Sequence, residues 1–354
     1  MAEYHHHIAV LGAGTIGLSM IALHLRRPDT RVTIYDPRPD FESQLRAQLP
    51  AFLDPSSVPD TSTDAIDHLI STSRFKIVPT LREAVQTATI IQEQSPERTD
   101  SKQALWKEVA QHADATAHLW SSSSGIAASV QAEGCPSGVA ERLVVAHPFN
   151  PPHLIPLVEI VPGPQTAPDR VDFVKGYLKT VPGPSKLPGS SQEHGSFVQH
   201  YRPVVLHKEI PGFVGNRLAF ALLREASYLV GEGVVSVRDL DTLVTASLGP
   251  RWAGSGVFES YHAGGGEGGI GAFLQKLAPT MKDVWGQLGQ IDISTEAGRQ
   301  NGVEVGENEK WKEDVIRQTE EAYGPSTSDD TRTKKEVMLR GVIEMQKQCW
   351  DALE

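Results

Sequence analysis

An α/β protein, with a doubly wound parallel sheet followed by an all-helical C-terminal domain, is what three features of this 354-residue chain predict. Short apolar strands alternate with helical segments to about residue 207. Such alternation makes successive strands parallel, because each return helix crosses one face of the sheet. A glycine-rich turn separates the first strand from the first helix. Beyond about residue 212, helical patterns run on without strands between them. A boundary between residues 211 and 212 follows, giving domains 1–211 and 212–354, and two domains are the ordinary expectation for this length.

Residues 8–11 form the first buried-type strand, and His5-His6-His7 reads as its polar start rather than as a tag or metal tract. Gly12-Ala13-Gly14-Thr15-Ile16-Gly17 then opens a helix. Gly12 permits the tight turn, Gly14 lets the backbone approach a pyrophosphate, and Gly17 lets the helix pack on the strand. The amides of the first helical turn, at Thr15 and Ile16, would meet the phosphates. A second strand over 31–35 ends at Asp36, at the spacing of an acid bonding the adenine ribose 2′-hydroxyl. Asp36 predicts NAD over NADP, since a carboxylate repels a 2′-phosphate, and Arg38 two residues on softens that preference. Together these elements are the fingerprint of a Rossmann-type domain.

Residues 41–73 mix Pro, Asp, Ser and Thr with short apolar runs and carry no functional signal. A strand over 75–78 is followed by Thr80-Leu81-Arg82-Glu83, a capping box that starts a helix. The strand at 89–91 ends at Gln92-Glu93-Gln94, a helix spans about 101–111, and the strand at 117–120 runs into Ser121-Ser122-Ser123-Ser124-Gly125. Loops at the carboxyl ends of such strands face the ligand, so Glu93, the serine run and His147 are expected in one crevice.

His147 leaves an apolar strand over 143–146 and enters His147-Pro148-Phe149-Asn150-Pro151-Pro152, and Glu159 lies inside the apolar run Leu157-Val158-Glu159-Ile160-Val161. A buried carboxylate there needs a partner, and His147 is the nearest candidate. Paired, they read as an acid/base catalyst, the acid fixing the tautomer and leaving the second ring nitrogen to exchange a proton. The alternative is a structural ion pair closing the loop. A helix follows over 168–179, then a Pro-, Gly- and Ser-rich surface insertion at about 183–202, then a strand over 203–207. In the second domain residues 216–226 form a helix apolar on several faces, expected to be buried. The glycine-rich stretch 254–271 reads as a flexible loop near the site entrance.

A net charge of −11 and the lack of a basic run argue against nucleic acid and anionic membranes as partners. Only Cys135 and Cys349 are present, so neither a disulfide framework nor a Cys-based metal site is indicated, and a reducing, cytoplasmic setting is expected. The first apolar run begins at Ile8, which leaves no room for a leader. No metal is expected. The partner is a small molecule.

These motifs resemble the L-3-hydroxyacyl-CoA dehydrogenase superfamily, and within it the lambda-crystallin and L-gulonate 3-dehydrogenase branch. The resemblance runs from Ile8 to about His262. It is carried by the glycine turn with Asp36, Gln92-Glu93-x-x-Pro96-Glu97 with Lys102, the serine run, His147-Pro148-x-Asn150-Pro151-Pro152, Pro156-Leu157-Val158-Glu159, Pro211-Gly212-Phe213-Val214-x-Asn216-Arg217 and Leu248-Gly249-Pro250-Arg251-Trp252. It implies a homodimer formed through the C-terminal domain and an NAD-dependent enzyme. By position, it implies His147 as the catalytic histidine, Glu159 as its orienting glutamate, and Ser123 and Asn216 as further catalytic and substrate contacts. Glu97 and Lys102 fall at cofactor positions, Asn150 at a substrate position, and Arg251 near the substrate carboxylate. The implied reaction is oxidation of the C3 secondary alcohol of a small free hydroxy acid, L-gulonate-like. The rivals are a 3-hydroxyacyl-CoA dehydrogenase and a crystallin-like NAD-binding structural or sensor protein. The insertion, Arg98 where Asn is common, Gly215 within the asparagine motif and the glycine-rich stretch depart from the family pattern and leave the substrate open.

Overall fold

A computed structural model describes residues 4–53, 64–182, 201–291, 293, 298–300, 303–305, 310–326 and 328–351. The expected insertion at 183–202 lies outside these, except for its last two residues. The chain divides into two compact units, Met1–Arg217 and Leu218–Glu354.

The first unit is built on an eight-stranded sheet of order β3-β2-β1-β4-β5-β6-β7-β8. In chain order its elements are β1 (His6–Leu11), α1 (Thr15–Leu25), β2 (Thr30–Tyr35), α2 (Phe41–Gln48), α3 (Asp64–Ser71), β3 (Phe75–Ile77), α4 (Leu81–Val85), β4 (Ile90–Glu93), α5 (Thr99–His112) and β5 (His118–Ser121). Then come α6 (Ala128–Ala132), α7 (Val139–Arg142), β6 (Leu143–Pro148), β7 (Leu157–Pro162), α8 (Pro168–Lys179) and β8 (Arg202–Val205). The stretch 41–73 that carried no signal thus holds α2 and α3. All neighbouring strands are parallel except β6 and β7, which are antiparallel and place His147 directly opposite Glu159. The short connection between them explains the reversal, since a parallel return needs a dozen or more residues.

Alternation along β1 feeds two cores, one on each face of the sheet. Ile8 and Val10 join Leu18, Ile21 and Leu25 of α1 on one face, and Ala9 and Leu11 join Trp106 and Val109 of α5 on the other. Helix α1 is buried from Gly17 to Leu25, as its mostly apolar sequence requires, and its two polar residues there, Ser19 and His24, are hydrogen-bonded to His153 and to Tyr177 and Gln92. His7 is indeed a strand residue, its ring bonded to Thr87 O (2.8 Å) and Thr33 Oγ1 (2.7 Å). The capping box holds α4, with Thr80 Oγ1 accepting the Glu83 amide at 3.2 Å.

The second unit begins within α9 (Gly215–Gly231) and continues through α10 (Val237–Leu243), α11 (Gly249–Gly264), α12 (Gly269–Gly286), α13 (Lys310–Tyr323) and α14 (Asp329–Asp351). A two-stranded ribbon over Gly298–Gln300 and Val303–Val305 is its non-helical part among the described residues. Two expectations are corrected here. The stretch 254–271 is not a loop but most of α11, a tight turn and the start of α12. Gly256 (φ 67°, ψ −171°) kinks α11 into two helical stretches, and a Cβ at Gly265 would collide with Gly269 O, so the glycines serve helix corners. Helix α9 is not buried along its apolar faces, since Leu218, Phe220 and Leu223 are 64%, 60% and 56% exposed. Its pattern asks for cover that the described residues do not give.

Candidate active site

Three loops at the carboxyl edge of the sheet, together with the start of α9, gather most of the residues singled out by sequence. At the first of them, Gly12 has φ 110°, a left-handed conformation that favours glycine, and an added Cβ would press on Gln94 O at 2.9 Å. A Cβ at Gly17 would overlap Gly12 O, so helix and turn touch backbone to backbone. At Gly14 a Cβ would meet no protein atom within 4 Å. Internal packing therefore sets no limit there, whereas close approach of a pyrophosphate would. Thr15 and Ile16 form the first turn of α1, whose N-terminal amides lack intrahelical partners. Asp36 closes the turn, its Oδ2 accepting the Ala13 amide at 2.8 Å. Arg38 clasps the same carboxylate, Nε to Oδ1 at 2.8 Å and Nη2 to Oδ2 at 2.7 Å. Burial pushes the Asp36 carboxyl up, but the Arg38 guanidinium and the backbone amides hold it below the usual range. This glycine turn with its acid fits the adenosine and pyrophosphate of a dinucleotide.

At the second loop the antiparallel register of β6 and β7 brings His147 Nδ1 to 2.9 Å from Glu159 Oε2, both side chains almost fully buried. Glu159 Oε1 accepts the amides of Val214 (3.1 Å) and Gly215 (2.9 Å), so one carboxylate joins the histidine to the start of α9. Burial drives Glu159 up, while the His147 bond and these amides outweigh it and leave the carboxyl below its ordinary value. The two amides are aimed by consecutive positive-φ residues, Gly212 (73°) and Phe213 (51°). For phenylalanine that conformation is strained. Its ring is wholly buried, 5.6 Å from that of His147, which offsets the cost. Phe149 lies 4.8 Å from the His147 ring on another side, and a Cβ at Gly215 would run into it. Gly215 is thus explained by packing. Among the described residues, no hydrogen bond engages His147 Nε2.

The third loop is the serine run. Because Ser121 pairs with Val145, the loop leaves β5 beside β6, two residues before His147. Ser123 is buried, its hydroxyl donating to Glu97 Oε1 (2.5 Å) and accepting the Ile126 amide (2.9 Å). Glu97 Oε1 also accepts the amides of Ser124 and Gly125, each at 2.9 Å. Asn216 Nδ2 donates to Ser124 O at 2.9 Å, tying α9 to this loop. Lys102 turns inward: its Nζ lies 2.7 Å from Glu93 Oε1 and 3.5 Å from Glu97 Oε2, at 1% exposure. Glu93, with no exposure, also accepts the Ser95 amide and hydroxyl and the Ser121 hydroxyl (2.6 Å). A buried Lys–Glu pair with this many donors supports the loop from below.

Asn150 is exposed and precedes the cis peptide bond to Pro151. Arg251 belongs to the second unit, in the first turn of α11, with Nη2 on Ser247 Oγ at 3.2 Å. Three features escaped the sequence reading. Arg38 had been noted only as a nearby charge, the fit of Gly215 to Phe149 depends on two distant segments, and Glu93 had been read only as a crevice residue. For Glu93 a signal existed, an acid inside an apolar strand nine positions before a lysine. Among the described residues, no group of three or more His, Cys, Asp or Glu side chains is arranged to hold a metal, and no helix is long and apolar enough to cross a membrane.

Comparison with known proteins agrees with this geometry. Residues 7–186 match the family model of the 3-hydroxyacyl-CoA dehydrogenase NAD binding domain, and residues 212–304 that of the 3-hydroxyacyl-CoA dehydrogenase C-terminal domain. An L-carnitine dehydrogenase of Nocardiopsis dassonvillei is 34% identical over 307 residues, covering 85% of this chain and 83% of that one. One of Pseudomonas putida is 32% identical over 343 residues, covering 96% and 93%. Among solved structures, 5-formyl-3-hydroxy-2-methylpyridine 4-carboxylic acid 5-dehydrogenase, described as an NAD+-dependent dismutase, superposes with a TM-score of 0.69 over 97% of both chains. Its identity is 22%, so that likeness speaks to the fold alone.

Proposed function

This chain belongs to the 3-hydroxyacyl-CoA dehydrogenase family and is an NAD-dependent oxidoreductase, and from that premise we propose that it oxidises the C3 hydroxyl of a small free hydroxy acid. The observation that carries the proposal is the chain from His147 through Glu159 to the amides of Val214 and Gly215. Bound NAD supplies the hydride acceptor. His147 Nε2 takes the hydroxyl proton as the alcohol becomes a ketone. Glu159 keeps the Nδ1 proton in place and its negative charge stabilises the imidazolium that results. The two helix amides keep Glu159 ionised and fixed, so the proton stays on the histidine. Ser123 and Asn216 border the substrate oxygen. Asp36 and the Gly12, Gly14 and Gly17 turn hold the adenosine and pyrophosphate, Glu97 lies toward the nicotinamide ribose, and Lys102 acts through Glu97 and Glu93.

The free-acid reading draws on the relatives named L-carnitine dehydrogenase. L-Carnitine and L-gulonate both carry a hydroxyl on C3, counting the carboxylate carbon as C1, and Arg251 is our candidate for binding that carboxylate. The test is NADH formation across L-carnitine, L-gulonate, 3-hydroxybutyrate and 3-hydroxybutyryl-CoA, with wild type and Arg251→Met. Turnover of a free acid, with KM raised roughly ten-fold or more in the variant, is expected for a lost charge-assisted bond. Efficient use of the thioester alone, unaffected by the change, would overturn the free-acid reading. We further read the exposed apolar side chains of α9 as covered by a second copy of the chain, and place the protein in the cytoplasm on the basis of its two free cysteines.

A further inference from the structure

The carboxylate assigned to the adenine ribose is already saturated by its own neighbours. Arg38 contributes Nε to Oδ1, Nη2 to Oδ2 and its backbone amide to Oδ1, at 2.8, 2.7 and 3.0 Å, and the Ala13 amide takes Oδ2 at 2.8 Å. A carboxylate offers about four acceptor positions. While the Arg38 fork is closed, the two hydroxyls of a ribose find none open. The two partners differ in freedom, for the Asp36 side chain is 6% exposed and that of Arg38 is 45% exposed. Asp36 is pinned by backbone amides, whereas beyond Asp36 the guanidinium has among the described residues one hydrogen bond, to Gln44 Oε1 at 3.2 Å on the surface, with the Asp40 charge nearby.

We infer that Arg38 sets the discrimination between the two nicotinamide dinucleotides, closing on Asp36 in the free protein, leaving it when a ribose binds, and presenting the same fork to a 2′-phosphate. The inference rests on the reading of the glycine turn and Asp36 as the dinucleotide site. Its chemistry is that of a planar guanidinium, which matches phosphate in the two-pronged way that it matches carboxylate. NAD needs the fork to open and gains two hydroxyl bonds to Asp36. NADP needs it to open and turn, and then meets Arg38 as an attraction and Asp36 as a repulsion. The preference between the two dinucleotides is then the balance of these two side chains, not a property of the acid alone.

Fluorescence titration of NADH and NADPH into the full-length protein tests this without any substrate. For Arg38→Ala, NADPH should bind roughly five- to ten-fold more weakly, the size of one partly exposed charged contact. NADH should bind as well as before or a few-fold more tightly, so the gap widens. Asp36→Asn should move the ratio toward NADPH by roughly ten-fold, and that gain should vanish in Asp36→Asn combined with Arg38→Ala. Arg38→Lys, which keeps the charge without the fork, should fall between wild type and Arg38→Ala. An unchanged ratio in Arg38→Ala, or a gain that survives in the double variant, would overturn the role of Arg38 while leaving the dinucleotide site intact. Failure of wild type to bind either dinucleotide would overturn the site and this inference together.

Discussion

At the scale of single residues, the proposed reaction places its proton chemistry on one imidazole nitrogen. His147→Ala should reduce turnover by roughly a hundred- to ten-thousand-fold, the usual worth of a positioned general base, while NADH affinity stays within a few-fold of wild type. Stopped-flow turnover and NADH titration on the same preparation check this, and near-normal turnover would move the proton to another group. Glu159→Gln keeps the size of the side chain but removes the charge that steadies the imidazolium. Its amide would also turn an N–H toward a donor on one side, either the Nδ1–H of His147 or the backbone amides of Val214 and Gly215. Turnover should fall while NADH affinity stays near that of wild type, and wild-type turnover in this variant would remove Glu159 from the proton chemistry.

At the scale of elements, the glycine turn and the buried ion pair make separate predictions. Gly17→Ala drives a Cβ into Gly12 O, a backbone atom that has no rotamer to yield. A loss of about 1–3 kcal/mol in unfolding free energy is expected, with a larger loss of NADH-dependent thermal stabilisation, because the helix start must move away from the phosphates. Lys102→Met strands Glu93 without a counter-charge at zero exposure and should cost about 3–5 kcal/mol by urea denaturation. Combining it with Glu93→Gln should recover part of that loss, which distinguishes an ion-pair effect from simple mispacking. The first turn and helix were legible in the sequence because each glycine there answers a local geometric demand. The His147–Glu159 pairing was legible because an acid in an apolar strand has to be matched. The clasp of Arg38 on Asp36 and the direction in which Lys102 points were not, since both depend on side-chain rotamers that no spacing encodes.

At the scale of the whole molecule, acid should unfold the protein through its histidines. Burial lowers His7, His24 and His118 to about 4 from a model-peptide value of 6.5. The unfolded chain therefore binds these protons first. Their contribution is complete above about pH 6.5 and is lost as the pH falls toward 4. Melting temperature should decline over that window, and His24→Gln should flatten the decline, since His24 is fully buried between Tyr177 and Gln92. Oligomeric state is the second property at this scale. Sedimentation should give a dimer, and charge introduced at Phe220 or Leu223 should shift it toward monomer; a monomeric wild type would remove the second copy from our reading. The misreading of 254–271 as a loop and of α9 as buried came from the same source. A glycine-rich composition is compatible with helices that meet closely, and an apolar helix face shows that it must be covered without showing by what.

The fit of Phe149 against Gly215 makes two remote positions a single unit of inheritance. A larger residue at 215 requires the Phe149 ring to shrink or turn aside, and either change uncovers one side of His147. Neither step is neutral alone, so drift at this corner is confined to paired exchanges. A library randomised at position 215 by itself should return glycine, while one randomised at both should return a small set of complementary sizes, and with them altered room beside His147 for the substrate carbon chain.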